Sequence, residues 1–294
     1  MGRVSKKDYL KKNKDILTKE FKAYGKRILS IVDLGLLLKK LSEEYLMHKL
    51  TRKEFADILV SINFLEIEKI TLPNRKMTKY IFGKVSKYEL ALSINKDSYL
   101  SHYTAVYLYG LIDNIPKTIY TNTEQYKKSP INDGELVQLN VDRAFSRPMR
   151  KTNNIAKLND FDVVLLNGKN TRKLEVLNIA IDGVELPITS LERTLIDIVT
   201  RPDYAGGVQE IINAYKGAKG KVSTSRIIAT LRKFDYMYPY HQAIGFYLER
   251  AGYDEKVLAR FDKLDKKCDF YLTYQMKDKN YSNRWKVYYP AYLD

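Results

Sequence analysis

Three groups of residues in this 294-residue chain have types and spacings that could do chemistry. The first is acidic. Asp160 and Asp162 sit beside one strand-like run and Glu175 beside the next, a faint echo of the carboxylates that hold a divalent ion in a metal-dependent nuclease. The carboxylate and lysine motif that would hold metal and water together is not evident there. His48, His102 and His241 are scattered and Cys268 is the lone cysteine, so the spacing suits neither a metal site nor an intramolecular disulfide. The second group is Glu192, Arg193 and Asp197, close together on one helical stretch, where Arg193 and Asp197 at i, i+4 suit a surface ion pair. The third group is basic: Arg52 and Lys53, Arg75 and Lys76, and a cluster of Arg143, Arg147, Arg150 and Lys151 set around Pro148. Its chemistry is the neutralisation of phosphate. P-loop, GxGxxG, GxSxG and HExxH patterns are missing, so the expectation is a protein that is not an enzyme and takes no cofactor or metal.

Charge points the same way. The formal net charge is +16, and a chain this basic usually has a polyanion as partner. Residues 1–90 hold 21 Lys and Arg against 11 Asp and Glu, an excess of ten, whereas the other 204 residues have an excess of only six. A biased genome explains abundant Lys and 24 Tyr, but not that asymmetry. With 45% hydrophobic and 29% charged residues, no apolar run near membrane-span length and no signal-peptide pattern, the composition predicts a cytoplasmic globular protein with room for two cores.

The elements of the first third would position the basic residues. An amphipathic helix is expected from about Ser5 to Tyr24, with Tyr9, Leu10, Ile16, Leu17, Phe21 and Tyr24 inward and Lys7, Lys11, Lys14 and Lys22 outward. An extended segment, Arg27 to Val32, leads to Asp33 as N-cap of a leucine-rich helix to about Leu46. Thr51 and Glu54 form a capping box for a helix with the core face Phe55, Ile58, Leu59 and Ile62. Strands Glu66–Leu72 and Met77–Phe82 follow, joined by a basic turn over 73–76. Helix, strand, helix, helix, hairpin is the order of a winged helix-turn-helix, whose second helix enters the DNA major groove. In that frame Arg52 and Lys53 face bases, and Arg75 and Lys76 form the wing tip.

Beyond a connector at Lys87–Lys96, an apolar helix is expected over Tyr99–Leu111, then strands at Lys117–Thr121, Leu136–Val141, Phe161–Leu166 and Leu174–Ile181. Helices at Val222–Phe234, Pro239–Ala251 and Glu255–Leu264 precede a terminal hairpin of Phe270–Met276 and Trp285–Tyr289. Between these lies the most informative stretch, Ile188 to Lys216. Thr189 and Glu192 have capping-box spacing, Leu191, Leu195, Ile198 and Val199 share a face, Arg201-Pro202 stops the helix, and Gly206-Gly207 opens the next. Close packing of two helices is the expected reason for the paired glycines.

The pattern RTLIDIVTRPDYAGGVQEIINAY within that stretch, with the segment YLSHYTAVYLYGL, resembles the C-terminal domain of the AbiEi antitoxins of abortive-infection type IV toxin-antitoxin systems. The resemblance implies a winged-helix domain over 1–90 and a mixed α+β antitoxin domain over 97–294, an α+β protein whose domain motif includes Glu192, Arg193, Asp197, Tyr204, Gly206 and Gly207. It further implies an autorepressor that binds inverted repeats of double-stranded DNA in its own promoter. As a phage-defence antitoxin it would oppose a nucleotidyltransferase toxin without a stable complex between them. The alternatives from the residues are a metal-dependent nucleic-acid-processing enzyme and a winged-helix protein-interaction module.

Overall fold

The computed structural model describes residues 5–45, 50–126 and 136–294; His48 lies outside them. The chain is a mixed α+β protein that divides into two compact units. One comprises residues 1–96 and 154–163, the other residues 97–153 and 164–294, so the first borrows a segment from the middle of the chain.

The first unit begins with α1 (Lys6–Lys12) and α2 (Lys14–Tyr24), two helices where periodicity alone reads as one. At the break, the Asn13 side chain donates to the Tyr9 carbonyl at 2.8 Å, a local bond that competes with the helical ladder. After β1 (Ile28–Leu29) comes α3 (Ile31–Tyr45). Asp33 is not its N-cap. Ser30 and Asp33 exchange reciprocal bonds, Ser30 N to Asp33 Oδ2 at 2.8 Å and Asp33 N to Ser30 Oγ at 3.2 Å, so the helix starts earlier and Asp33 reaches back. Burial opposes the Asp33 charge, but donors on Lys26, Ser30 and Tyr24 outweigh it and hold the carboxyl well below its ordinary range. The Thr51–Glu54 capping box opens α4 (Arg52–Ser61) as its spacing predicts, with Phe55, Ala56 and Leu59 buried.

The hairpin β2 (Glu66–Leu72) and β3 (Arg75–Ile81) turns on Pro73 and Asn74 alone. Arg75 and Lys76 therefore open β3, paired with Leu72 and Thr71, rather than forming the turn. The segment read as a connector holds a short helix, α5 (Lys87–Leu92), opened by a Ser86–Glu89 capping box. The unit's sheet runs β1, β3, β2 and then the strand Ile155–Lys157, with Thr71 opposite Lys157. Its core gathers Leu10, Leu17, Leu34, Leu41, Phe55 and Leu59, with Phe21, Phe64 and Phe82 rings 5.1 to 5.3 Å apart.

In the second unit, β4 (Tyr99–Leu100) takes the first two residues of the expected helix, leaving α6 (His102–Leu108). Tertiary pairing decides this: β4 lies between β5 (Thr118–Glu124) on one edge and Ile188 on the other, so its backbone bonds go to the sheet. Leu136–Val141 is not a strand. Val141 and Phe145 are buried one turn apart on α7 (Gln138–Phe145). Then come β6 (Ile155–Lys157, the strand given above), β7 (Asp162–Gly168), β8 (Val176–Ile181) and β9 (Val184–Thr189), of which β6 and β9 carry no expectation from the sequence. The sheet of this unit is ordered β7, β5, β4, β9, β8.

Helix α8 (Leu191–Thr200) begins one residue later than its spacing suggests, because Thr189 pairs with Val176 in the sheet. Ser190 is the cap, accepting from Arg193 N at 3.2 Å, and Glu192 turns away to accept from Ser223 N at 3.0 Å. Every residue from Glu192 to Val199 is buried, so this helix has no solvent face. A turn at Pro202–Tyr204 follows, then Gly206 and Gly207 with φ of 78° and 92°. Backbone conformation, rather than close helix packing, explains this pair. Helices α9 (Val208–Ala218), α10 (Thr224–Phe234), α11 (Tyr240–Arg250) and α12 (Glu255–Asp262) complete the bundle. A small sheet ends the chain: β10 (Phe270–Tyr271), β11 (Lys279–Ser282) and β12 (Val287–Pro290). Its hairpin is β11 with β12; Phe270–Tyr271 joins β12 in parallel instead of forming the hairpin's first arm.

The sole tryptophan, Trp285, is fully buried against α11, donating to Glu249 at 2.8 Å. A Cβ at Gly245 would meet its ring at 2.3 Å. Gly245→Ala is therefore expected to destabilise the second unit by about 1 to 3 kcal/mol through overpacking, read by urea unfolding followed on Trp285 fluorescence. An unchanged midpoint would mean that the helix and ring separate at little cost.

Candidate functional site

The structure separates the sequence-derived residues into a buried polar centre in the second unit and basic surfaces on both. Arg193, expected in a surface pair, is 3% exposed. Sequence spacing sees the Arg193–Asp197 partnership but not the strands that cover it. Arg193 Nε donates to Asp197 at 3.4 Å, Nη1 to the Thr171 hydroxyl at 3.1 Å and to the Leu174 carbonyl, and Nη2 to the Tyr99 hydroxyl at 2.6 Å and to Glu124 at 3.3 Å. The guanidinium also lies 5.0 Å from the Tyr99 ring centre and 5.3 Å from that of Phe234. Tyr99, Glu124, Thr171 and Phe234 were not legible as members, since they come from residues up to 94 positions distant.

The two carboxylates here differ. Burial works against the Glu124 charge, but the Thr171 hydroxyl, the backbone N–H groups of Lys173 and Thr171, and Arg193 together lower its pKa. Burial dominates at Asp197 and pushes it up to about 6 despite Arg193. One cation thus holds one firmly ionised partner and one that protonates in the mildly acidic range. Glu192 is engaged elsewhere, 3.8 Å from Arg226. Tyr204 is buried, and its hydroxyl accepts from Thr152 N at 2.7 Å. His102 is buried with φ of 50°, its pKa driven down to about 3 by burial and then by Arg201 and Arg193, so it is neutral. The His241 pKa is lowered by burial.

The acidic trio is not assembled: Asp162 pairs with Lys157 and Glu175 with Arg226. Among the described residues no three His, Cys, Asp or Glu side chains group as metal ligands. Cys268 is buried and free.

In the first unit Arg52, Lys53, Arg75 and Lys76 are all exposed. Arg52 is not aimed straight outward, because its stem lies on α3, where a Cβ at Gly35 would meet Arg52 Cδ at 2.3 Å. Asp57 is also exposed on α4, one turn beyond Lys53, which leaves that face without a strong charge. The cationic excess lies to either side. Lys7, Lys11 and Lys12 are exposed on α1, and Lys6 of that helix pairs with Glu54 of α4 at 3.1 Å. In the second unit Arg143, Arg147, Arg150 and Lys151 are exposed, Arg143 on α7 and the rest in the loop after it, and Lys151 pairs with Asp203 at 2.8 Å.

A scan with protein-family models gives no match to this chain, and a sequence search of curated proteins gives none either. Among solved structures, the crystal structure of the RV2827C protein from Mycobacterium tuberculosis is similar, with a TM-score of 0.58 and 15% identity. The likeness covers 90% of this chain and 86% of that one. At this identity it shows a shared fold. No helix among the described residues is long and apolar enough to cross a membrane.

Removing the guanidinium strands two buried carboxylates. Arg193→Ala is expected to cost about 3 to 5 kcal/mol in urea unfolding, and a loss under about 1 kcal/mol would show that water replaces it. Asp197 binds its proton near pH 6 when folded and near 3.8 when unfolded, so between these values the folded state holds the extra proton. Its contribution to stability then grows as pH falls through that window. Relative to Asp197→Asn, the parent chain should lose stability as pH rises from about 4 to 6 and hold a constant difference above about 7. A difference independent of pH would show that Asp197 stays ionised.

Proposed function

We propose that the chain is a DNA-binding regulator whose first unit is a winged helix and whose second unit is an AbiEi-like antitoxin domain. The observation that carries the DNA-binding half is the arrangement β1, α3, α4, β2, β3. Here β1 pairs with the outer edge of β3, and a capped, exposed α4 precedes a hairpin with a two-residue turn. That is the element order in which α4 enters a major groove and the hairpin touches the flanking backbone. Exposed lysines on α1 and the pair Arg75 and Lys76 beside the hairpin turn supply phosphate contacts on both sides of α4. The near-neutral face of α4 suits a division of labour in which flanking cations provide affinity and α4 provides discrimination.

The antitoxin half rests on the resemblance of residues 188–216 to AbiEi proteins. No catalytic role is assigned, and the partners are double-stranded operator DNA and, functionally, a nucleotidyltransferase toxin. Growth rescue of cells expressing such a toxin by the full chain tests that half directly. Failure to rescue would leave the DNA-binding half standing.

Gel-shift titrations with promoter and random DNA test the DNA-binding half. Lys53→Ala should reduce the preference for promoter by about 1 to 3 kcal/mol, whereas Arg75→Ala should weaken both DNAs alike and lower the salt slope by about one. Asp57→Asn should strengthen binding to both, because a carboxylate on α4 repels the phosphates it approaches. Equal affinity of the parent for both DNAs would reject the repressor reading, and no effect of all three substitutions would reject α4 and the hairpin as the DNA surface.

A further inference from the structure

The second unit contains an open cavity of about 320 Å³ beside the Arg193 centre. Five cationic side chains line it, those of Arg150, Lys151, Lys169, Arg193 and Arg201, against the single carboxylate of Asp197. Two of the cations are committed, Arg193 to its buried network and Lys151 to Asp203. Of the other three, Lys169 and Arg201 are held in place without being neutralised. Lys169 donates to the carbonyls of Phe234 and Asp235 at 2.7 Å each and lies 5.3 Å from the Tyr236 ring centre, with no carboxylate among those partners. Arg201 spends one N–H on the Arg150 carbonyl at 3.4 Å, and neither Arg201 nor Arg150 has an ion-pair partner among the described residues.

The lining is also aromatic: Tyr204, Tyr236 and Tyr240, with the neutral His102 ring edge-on to Tyr204 at 6.0 Å. Three exposed cations without a carboxylate partner at one cavity suit an anion, and the tyrosines suit a planar ring. The volume lies at the lower end of the roughly 300 to 1,000 Å³ typical of small-molecule pockets, which suits one nucleotide better than a strand.

We propose that this cavity binds a nucleoside phosphate, with Arg150, Lys169 and Arg201 on the phosphate and the tyrosines against the base. The ligand is either a free nucleotide or the phosphorylated terminus of a nucleic acid, and both present the same chemistry. The site is independent of the winged-helix reading, since it needs no residue of the first unit.

The test is calorimetric titration of the full chain with the four ribonucleoside monophosphates, inorganic phosphate, and a short single strand with and without a 5′-phosphate. At least one nucleotide, or the 5′-phosphorylated strand, should bind tenfold or more tightly than inorganic phosphate. Tighter binding of the phosphorylated strand than of any free nucleotide would assign the terminus as the source. Arg201→Gln should weaken binding at least tenfold with an unchanged circular-dichroism spectrum, and Arg150→Gln, in an exposed loop, provides the same reading should the first variant not fold. Lys256→Gln, exposed elsewhere on the unit, should bind as the parent does. Binding of phosphate as tight as that of nucleotide and strand, no binding of any probe, full affinity in the folded variants, or equal weakening by Lys256→Gln would each overturn the proposal.

Discussion

A guanidinium cannot shed its proton inside a protein, so the second unit is organised around satisfying Arg193. An uncompensated charge at that depth would cost several kcal/mol, and each of its donors is met by a group from a different part of the chain. Tyr99 comes from β4, Glu124 from the end of β5, Thr171 and Leu174 from the link between β7 and β8, and Asp197 from α8 itself. The same Glu124 accepts the backbone N–H groups of Thr171 and Lys173 at 2.8 and 3.0 Å, so the link is ordered by the carboxylate that serves the arginine. Helix α8 is the natural seat for this residue because the remaining turns of that helix are packed on all sides.

The two units manage charge in opposite ways. In the second, charges are drawn inward and paired, which fixes geometry next to a cavity whose remaining cations stay available. In the first, the core is aliphatic and aromatic apart from the buried carboxylate of Glu20, and the cations are spread over the surface, with a few anchored by Glu20, Asp33, Glu54 and Glu89. A surface that gathers polyanions benefits from mobile, solvated lysines, whereas recognition of a small anion needs donors held in register.

Several features were legible in the residues themselves. The Thr51–Glu54 capping box, the helix it opens, the hairpin after it, the stop at Arg201-Pro202 and the three helices after Val222 all follow from local spacing, because caps, prolines and apolar periodicity act within a turn or two. Errors clustered where local and distant claims on the backbone compete. Tyr99 and Leu100 have helical neighbours yet pair in a sheet, Leu136–Val141 alternates like a strand yet coils, and the cap of α8 moves from Thr189 to Ser190 because Thr189 is needed by β9. Asp33, read as an N-cap, instead reaches back from inside α3 to Ser30, and the Asn13 bond to the Tyr9 carbonyl divides one expected helix in two.

The sequence by itself determined the charge asymmetry, the exposure of Arg52, Lys53, Arg75 and Lys76, and the i, i+4 partnership of Arg193 with Asp197, since all three depend on composition or on local spacing. Tertiary structure alone decided that this partnership is buried, that Glu124 and Tyr99 complete it, and that residues 154–163 return to the first unit. The reason is physical: whether an ion pair sits in water or in a core is set by what the rest of the chain lays over it, and that covering comes from residues too far along the sequence for any local pattern to encode.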